Sequence, residues 1–227
     1  MKPSIIFSIQ FNTIQLNPSE FYRQFLDGLF ATGWAEAIAV ISGIASVWFS
    51  KKENILVYPI GLVNTVLYVI ISAKAQLYGE AAVNIYYTMM SLYGWYQWRR
   101  TDINRKTIIN VSVSDKSWVQ KQLGFFSICF VAIYILLQYM KNQFAEGAIP
   151  WADALASAAA FTAMWLMTQK KVESWWWWIL TNIVSIPLYF VKGFVFTSVY
   201  YSILLVLAII GLISWREKAN KNLNSQE

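Results

Sequence analysis

The chain contains no histidine, and only one of its 227 residues is cysteine. Without histidine there is no imidazole zinc ligand, no Ser–His or Cys–His nucleophile pair and no imidazole proton relay. The lone Cys129 lies inside an apolar run and can form no disulfide within the chain, so it reads as a small buried apolar residue. Charge is scarce too: Asp, Glu, Lys and Arg make up 13% of the residues, against about 25% in a soluble domain. No G-x-x-x-x-G-K-[ST] phosphate cradle occurs, which excludes ATP hydrolysis by the chain itself. No acidic residue falls at mid-depth of an apolar run, which argues against coupling to protons or sodium. Nothing in the residue set calls for a metal or a cofactor.

What is abundant is apolar and aromatic. Hydrophobic residues make up 57% of the chain, 12 of them Trp. Runs near 20 residues, separated by short charged links, are those of a polytopic helical membrane protein. The spans are 31–49, 54–73, 77–98, 122–140, 151–168, 174–192 and 196–215. The N-terminal Ile5–Phe7 patch is too short for the apolar core of a cleaved signal. Ser19 to Phe30 reads as a short helix lying on the membrane surface, with Ser19 as its N-cap.

Two stretches of the chain resemble each other at an offset of 117. Trp34 maps onto Trp151, Glu36 onto Asp153, Trp48 onto Trp165, Gly94 onto Gly211 and Trp98 onto Trp215. Each stretch holds three spans, and the fourth span has no counterpart. The chain thus divides into an N-terminal extracytoplasmic segment (1–30), a first repeat (31–98), a basic loop with a linker helix (99–150), a second repeat (151–215) and a tail (216–227). An odd connector lets both repeats enter the membrane in the same direction, so they should be parallel. Duplicated bundles of this kind build a central path that opens to either side, the plan of a transporter.

Charge sets the orientation. Lys51, Lys52, Arg99, Arg100, Arg105, Lys106, Lys116, Lys121, Lys170, Lys171, Arg216, Lys218 and Lys221 fall on one side; Lys2, Arg23, Lys74, Lys141 and Lys192 fall on the other. Thirteen against five places the N-terminus outside and the C-terminus in the cytoplasm. The net charge of +6 is accounted for by anionic lipid headgroups, without a nucleic-acid partner.

Polar side chains within lipid are costly, so their positions are informative. Asn64 and Asn182 sit near mid-depth of the second and sixth spans, repeat partners to within one residue; Asn84 lies in the outer half of the third. An amide can bind a substrate or tie two helices together, and both roles remain open. On the sixth span Trp175, Trp178, Asn182, Ser185 and Tyr189 advance by three or four and share one face. That face suits a flat aromatic ligand, stacked on a ring and hydrogen-bonded at its edge, with Trp178 as the stacking residue. A cationic ligand would gain about 0.5–2 kcal/mol of cation–π attraction. Span 3 carries Asn84, Tyr87, Thr88, Ser91, Trp95 and Trp98, and span 7 carries Thr197, Tyr200 and Tyr201. Gly94 and Gly211 read as close-packing points, and Pro59 and Pro187 as bends. Glu36 and Asp153, near the outer face, either draw a cation to the entrance or pair with Lys74 and Lys192; pairing is the simpler reading. Together these features describe a bidirectional carrier for a neutral or cationic small molecule. A membrane-embedded enzyme lacks its chemistry here, and a substrate-capture subunit of a larger importer would not need two bundles.

Leu77-Tyr78-Gly79-Glu80, Asn84, Ser91-Leu92-Tyr93-Gly94-Trp95-Tyr96-Gln97-Trp98, Glu173-Ser174-Trp175-x-x-Trp178-x-x-x-Asn182 and Pro187-Leu188-Tyr189-x-x-Lys192-Gly193 resemble the Pnu family of bacterial vitamin transporters, over about residues 31–216. The resemblance implies an all-α membrane protein of seven helices, three-one-three, related to SWEET sugar transporters, in the bacterial inner membrane and usually a homotrimer. It implies facilitated diffusion with no cofactor, with uptake driven by a cytoplasmic kinase that phosphorylates the vitamin for NAD biosynthesis. Nicotinamide riboside is the expected cargo, thiamine the alternative and riboflavin a more distant one. Carried over by position, Trp175, Trp178, Asn182, Tyr87, Ser91, Tyr93 and Trp95 would line the substrate path, with Asn84 where the family often has Gln.

Overall fold

The computed structural model describes residues 18–31, 33–74, 78–101, 108–141 and 149–224. They form α1 (Pro18–Ala31), α2 (Trp34–Lys51), α3 (Val57–Lys74), α4 (Tyr78–Arg99), α5 (Lys116–Lys141), α6 (Pro150–Thr168), α7 (Glu173–Val191) and α8 (Val195–Asn224). Among the described residues nothing β-like exceeds a bridge such as Ser112 to Lys171. The Ile5–Phe7 patch, Lys2, Leu77, Arg105 and Lys106 lie outside the described residues.

Helices α2 to α8 lie over the seven apolar spans. Two extend past them: α5 begins at Lys116 and α8 runs on to Asn224, because polar residues outside lipid sustain a helix as well as apolar ones do. Pro18 opens α1, so Ser19 stands inside the first turn rather than capping it. On α1, hydrogen bonds from Gln24 and Arg23 hold the Glu20 carboxyl below its ordinary pKa. By length and hydropathy alone, α3, α5 over Lys116–Tyr139 and α8 can cross a membrane. The others, α2, α4, α6 and α7, have 18, 22, 19 and 19 residues. At 1.5 Å per residue that is about 27–33 Å, comparable with a hydrocarbon core of about 30 Å.

Helices α2, α3 and α4 pack in chain order, as do α6, α7 and α8; α4 against α6 and α2 against α8 join the two sets. Helix α5 lies along α6, with Phe125 against Trp165 and Phe126 against Trp177 of α7. On α6, Ala152, Ala154, Ala156, Ala158, Ala159, Ala160 and Ala163 are all buried, so small side chains line much of its packing, with Phe161 toward α4 and Trp165 toward α5 as large exceptions. Before α5, Ser114 donates to both oxygens of Glu173, at 3.0 Å through its N–H and 2.6 Å through its hydroxyl, pinning that loop to the start of α7.

Several contacts recur at the 117-residue offset. Glu53 and Lys170 both adopt a left-handed backbone, with φ of 57° and 50°, a conformation that costs a non-glycine residue about 1 kcal/mol or more. The N–H of Asn54 bonds the carbonyl of Phe49, and that of Lys171 bonds the carbonyl of Leu166. Tyr58 meets Trp98 edge to face at 5.1 Å and 85°, and Trp175 meets Trp215 at 5.5 Å and 87°. A methyl group on Gly94 would overlap the Tyr58 ring, and one on Gly211 the Trp175 ring. Both glycines are therefore close-packing points.

A candidate substrate path among α4, α7 and α8

The residues of the sixth-span stripe divide between two environments. Trp175 is 1% exposed and belongs to a sealed cluster with Tyr58, Met167, Val172 and Trp215. Its indole N–H finds no partner there, nor do the Tyr58 hydroxyl, the Trp98 N–H and the Ser174 hydroxyl. Trp178, one turn further along α7, is only half-buried; it borders the same cluster and also faces Tyr87 of α4, with ring centroids 6.3 Å apart. Tyr87 in turn meets Phe161 of α6 at 6.1 Å and 90°, and Tyr86 lies on Phe161 at 4.2 Å with its hydroxyl donating to the Phe161 carbonyl at 2.9 Å.

Asn182 follows Trp178 by one turn. It is 2% exposed, and its side chain forms no hydrogen bond within the described residues. Ser91 on α4 is likewise buried with no side-chain hydrogen bond. Neither is among the fully enclosed unpartnered atoms, so these polar groups keep some open surface on which a ligand's polar edge can bond. Beyond Asn182, Tyr189 stacks on Tyr201 of α8 at 5.2 Å and 14°, and Tyr200 meets Tyr201 at 5.7 Å. The Tyr201 hydroxyl is in polar contact with Ser185 and Tyr189.

Other sequence candidates have local partners. The Asn64 amide donates to the Ala39 carbonyl at 2.7 Å and ties α3 to α2. Asn84 donates to the Glu80 carbonyl one turn back at 2.9 Å. The Thr88 hydroxyl lies 2.8 Å from the Asn84 carbonyl and 2.9 Å from the Thr65 hydroxyl. Tyr93 is 42% exposed and accepts hydrogen bonds from Gln97 and Gln169; Trp95 packs on the sealed cluster. Thr197 sits at the far end, where Gln24, Asp27, Glu36 and the α7–α8 turn line a cavity of about 410 Å³. There Asp153 pairs with Lys192 at 2.6 Å, while Glu36 and Lys74 form no ion pair among the described residues.

Sequence reasoning passed over Tyr86 and Phe161. Phe161 interrupts the alanine run at the middle of α6, between the helix's two tryptophans, and that contrast was the available signal. Tyr58 was also missed, although it precedes Trp175 by the same 117 residues. Among the described residues no group of three or more His, Cys, Asp or Glu gathers that could hold a metal ion. What remains is a set of rings and unpaired polar edges enclosed by helices, suited to holding a flat polar molecule.

Comparison with known proteins decides the class. The profile of the family described as nicotinamide mononucleotide transporter matches residues 33–217. The chain belongs to that family. As a nicotinamide mononucleotide transporter family member it is a Pnu-type membrane transporter and not an enzyme. It is 26% identical to the nicotinamide riboside transporter PnuC of Escherichia coli over 86% of this chain and 90% of that one. It is 24% identical to the riboflavin/roseoflavin transporter RibM of Streptomyces davaonensis, over 80% and 84%. The crystal structure of the vitamin B3 transporter PnuC shares the fold, with a TM-score of 0.66, 20% identity and 90% coverage of both chains. The cargoes named for these relatives thus differ, nicotinamide riboside for one and riboflavin or roseoflavin for the other.

Proposed function

We propose that the chain carries nicotinamide riboside across the bacterial inner membrane by facilitated diffusion. Asn182 supports this reading most: a mid-membrane amide, 2% exposed and without a hydrogen bond, one turn from the Trp178–Tyr87 ring pair. In this reading the nicotinamide ring stacks on Trp178 and its carboxamide meets Asn182. Tyr87 and Ser91 border the ring, and the ribose lies toward Ser185, Tyr189, Thr197 and Tyr200. The cationic ring gains from the surrounding π faces. No ion pathway is needed, because a cytoplasmic kinase that phosphorylates the vitamin keeps the inward gradient steep.

The same proposal includes the architecture. Two parallel three-helix repeats, α2–α4 and α6–α8, are joined by α5, and the contacts that recur 117 residues apart support that division. The excess of Lys and Arg at the end holding the α2–α3 and α6–α7 turns makes that end cytoplasmic. A homotrimer completes the reading, to be checked by mass measurement in detergent.

Tryptophan-fluorescence titration with nicotinamide riboside, thiamine and riboflavin in parallel tests the cargo. Saturable quenching by nicotinamide riboside alone is expected. The match to a riboflavin/roseoflavin transporter gives riboflavin specific weight as the second reading, and the same titration detects it, as it does thiamine. Flux of the bound vitamin into liposomes holding only this chain, without ATP, separates a carrier from a capture subunit.

A further inference from the structure

The two turns that mirror each other also touch each other. Lys170 Nζ lies 2.6 Å from Glu53 Oε1, and these positions are 117 residues apart. Both are set by the same left-handed turn: the Glu53 N–H bonds the Ser50 carbonyl at 2.9 Å, and the Lys170 N–H bonds the Met167 carbonyl at 3.1 Å. One turn inward the coincidence repeats, with the Ser50 hydroxyl 3.0 Å from Met167 Sδ, again 117 apart. In a pair of bundles related by a two-fold axis, a residue can meet its own counterpart only on that axis. Two such contacts in succession therefore trace the axis, along which a path between the bundles runs.

We propose that Glu53 and Lys170 form the cytoplasmic gate of this path, closed in the present structure. Strict two-fold symmetry would place like charges here; the duplication has diverged to opposite ones, which attract. The Lys170 side chain is only 4% exposed and its ammonium also lies 4.8 Å from the centre of the Trp98 ring. Lys218 of α8 adds a second cation at 3.3 Å from Glu53 Oε2. The Trp215 N–H closes the layer on the Ser50 carbonyl at 3.0 Å. At the opposite end Asp153 pairs with Lys192, the only comparable pair there among the described residues; it lies within one bundle, and a cavity of about 410 Å³ opens beside it. The 440 Å³ groove at the basic end is lined by Leu92, Trp95, Tyr96, Arg99 and Arg100, and includes neither gate residue. A buried ion pair suits a gate because its attraction is largely offset by desolvation. When the bundles part, water returns to both charges, so the closed and open forms stay close in free energy.

This inference rests on the transport reading, but its test does not need a vitamin. With Cys129→Ala as background, Ser50→Cys places a thiol one turn inside the pair. Labelling by a membrane-impermeant maleimide from the cytoplasmic side should be slow. Glu53→Gln, which leaves the buried Lys170 ammonium unpaired, should speed it by about tenfold or more, and Lys170→Gln should speed it less, because Glu53 keeps Lys218. The double variant should be no faster than Glu53→Gln, and Lys170→Arg should stay protected. Elution of the solubilised variants at the wild-type position checks their assembly. Equal labelling of wild type, Glu53→Gln and Lys170→Gln would overturn the gate, even if liposome flux of a vitamin were normal. Faster labelling in both single variants would uphold it, even if none of the three vitamins proved to be the cargo.

Discussion

Asn64 and Asn182 occupy nearly the same depth in two similar bundles, yet they are used differently. Asn64 spends its amide on the Ala39 carbonyl of the neighbouring helix. The residue 117 positions later is Thr181, whose hydroxyl lies 3.4 Å from the carbonyl of Ala156, itself the counterpart of Ala39. Threonine thus stands where the first bundle has its tie, and Asn182 is displaced by one residue. One residue turns a side chain by about 100° around the helix axis. In the second bundle the amide is thereby released from structural duty and left without a partner. A one-residue shift in register separates a fastening from a candidate binding group.

The comparison can be broken in several ways. The largest expected effect is on Trp175, sealed and fully packed: Trp175→Ala should cost about 3–5 kcal/mol of stability. Thermal unfolding in detergent would show it, whereas Trp178→Ala, which only borders that cluster, should lower the unfolding temperature by much less. Trp178→Ala should instead lose about 1–3 kcal/mol of vitamin binding, the range of base–aromatic stacking; unaltered affinity would remove Trp178 from the path. Asn182→Ala should weaken binding by about 1–3 kcal/mol with no loss of stability, because no protein bond is broken. Gly211→Ala drives a methyl into the Trp175 ring and should cost about 1–3 kcal/mol of stability, matched by Gly94→Ala against Tyr58. The smallest effect belongs to Asn64→Ala, about 0.5–1.5 kcal/mol in stability with binding retained. If Asn64→Ala and Asn182→Ala exchanged these phenotypes in titration and melting, the contrast between the bundles would collapse.

The helices were legible because apolar length is a local property. What the sequence could not supply was the neighbour of each face. Trp175 and Trp178 share a stripe by periodicity, but α7 meets α8 and the sealed cluster at one end and α4 further along, so one stripe passes from core to path. Asn64 and Asn182 likewise differ through which carbonyl lies opposite, a fact of packing. Glu53 and Lys170 read only as charges ending helices, since nothing along the chain announces that two turns 117 residues apart will meet. The equivalence of Gly94 and Gly211 was visible, as both sit at the same offset from a large ring.

The alanine sides of α6 have a mechanical consequence. Interlocked branched side chains act like gear teeth and hold two helices in one register, so movement must climb over each tooth. Ala154, Ala156, Ala158, Ala159, Ala160 and Ala163 offer no teeth. Phe161 is the tooth that remains, locked to α4 by the Tyr86 ring and hydroxyl. Along the alanines a small shift would meet little interlock, which is the requirement for shear.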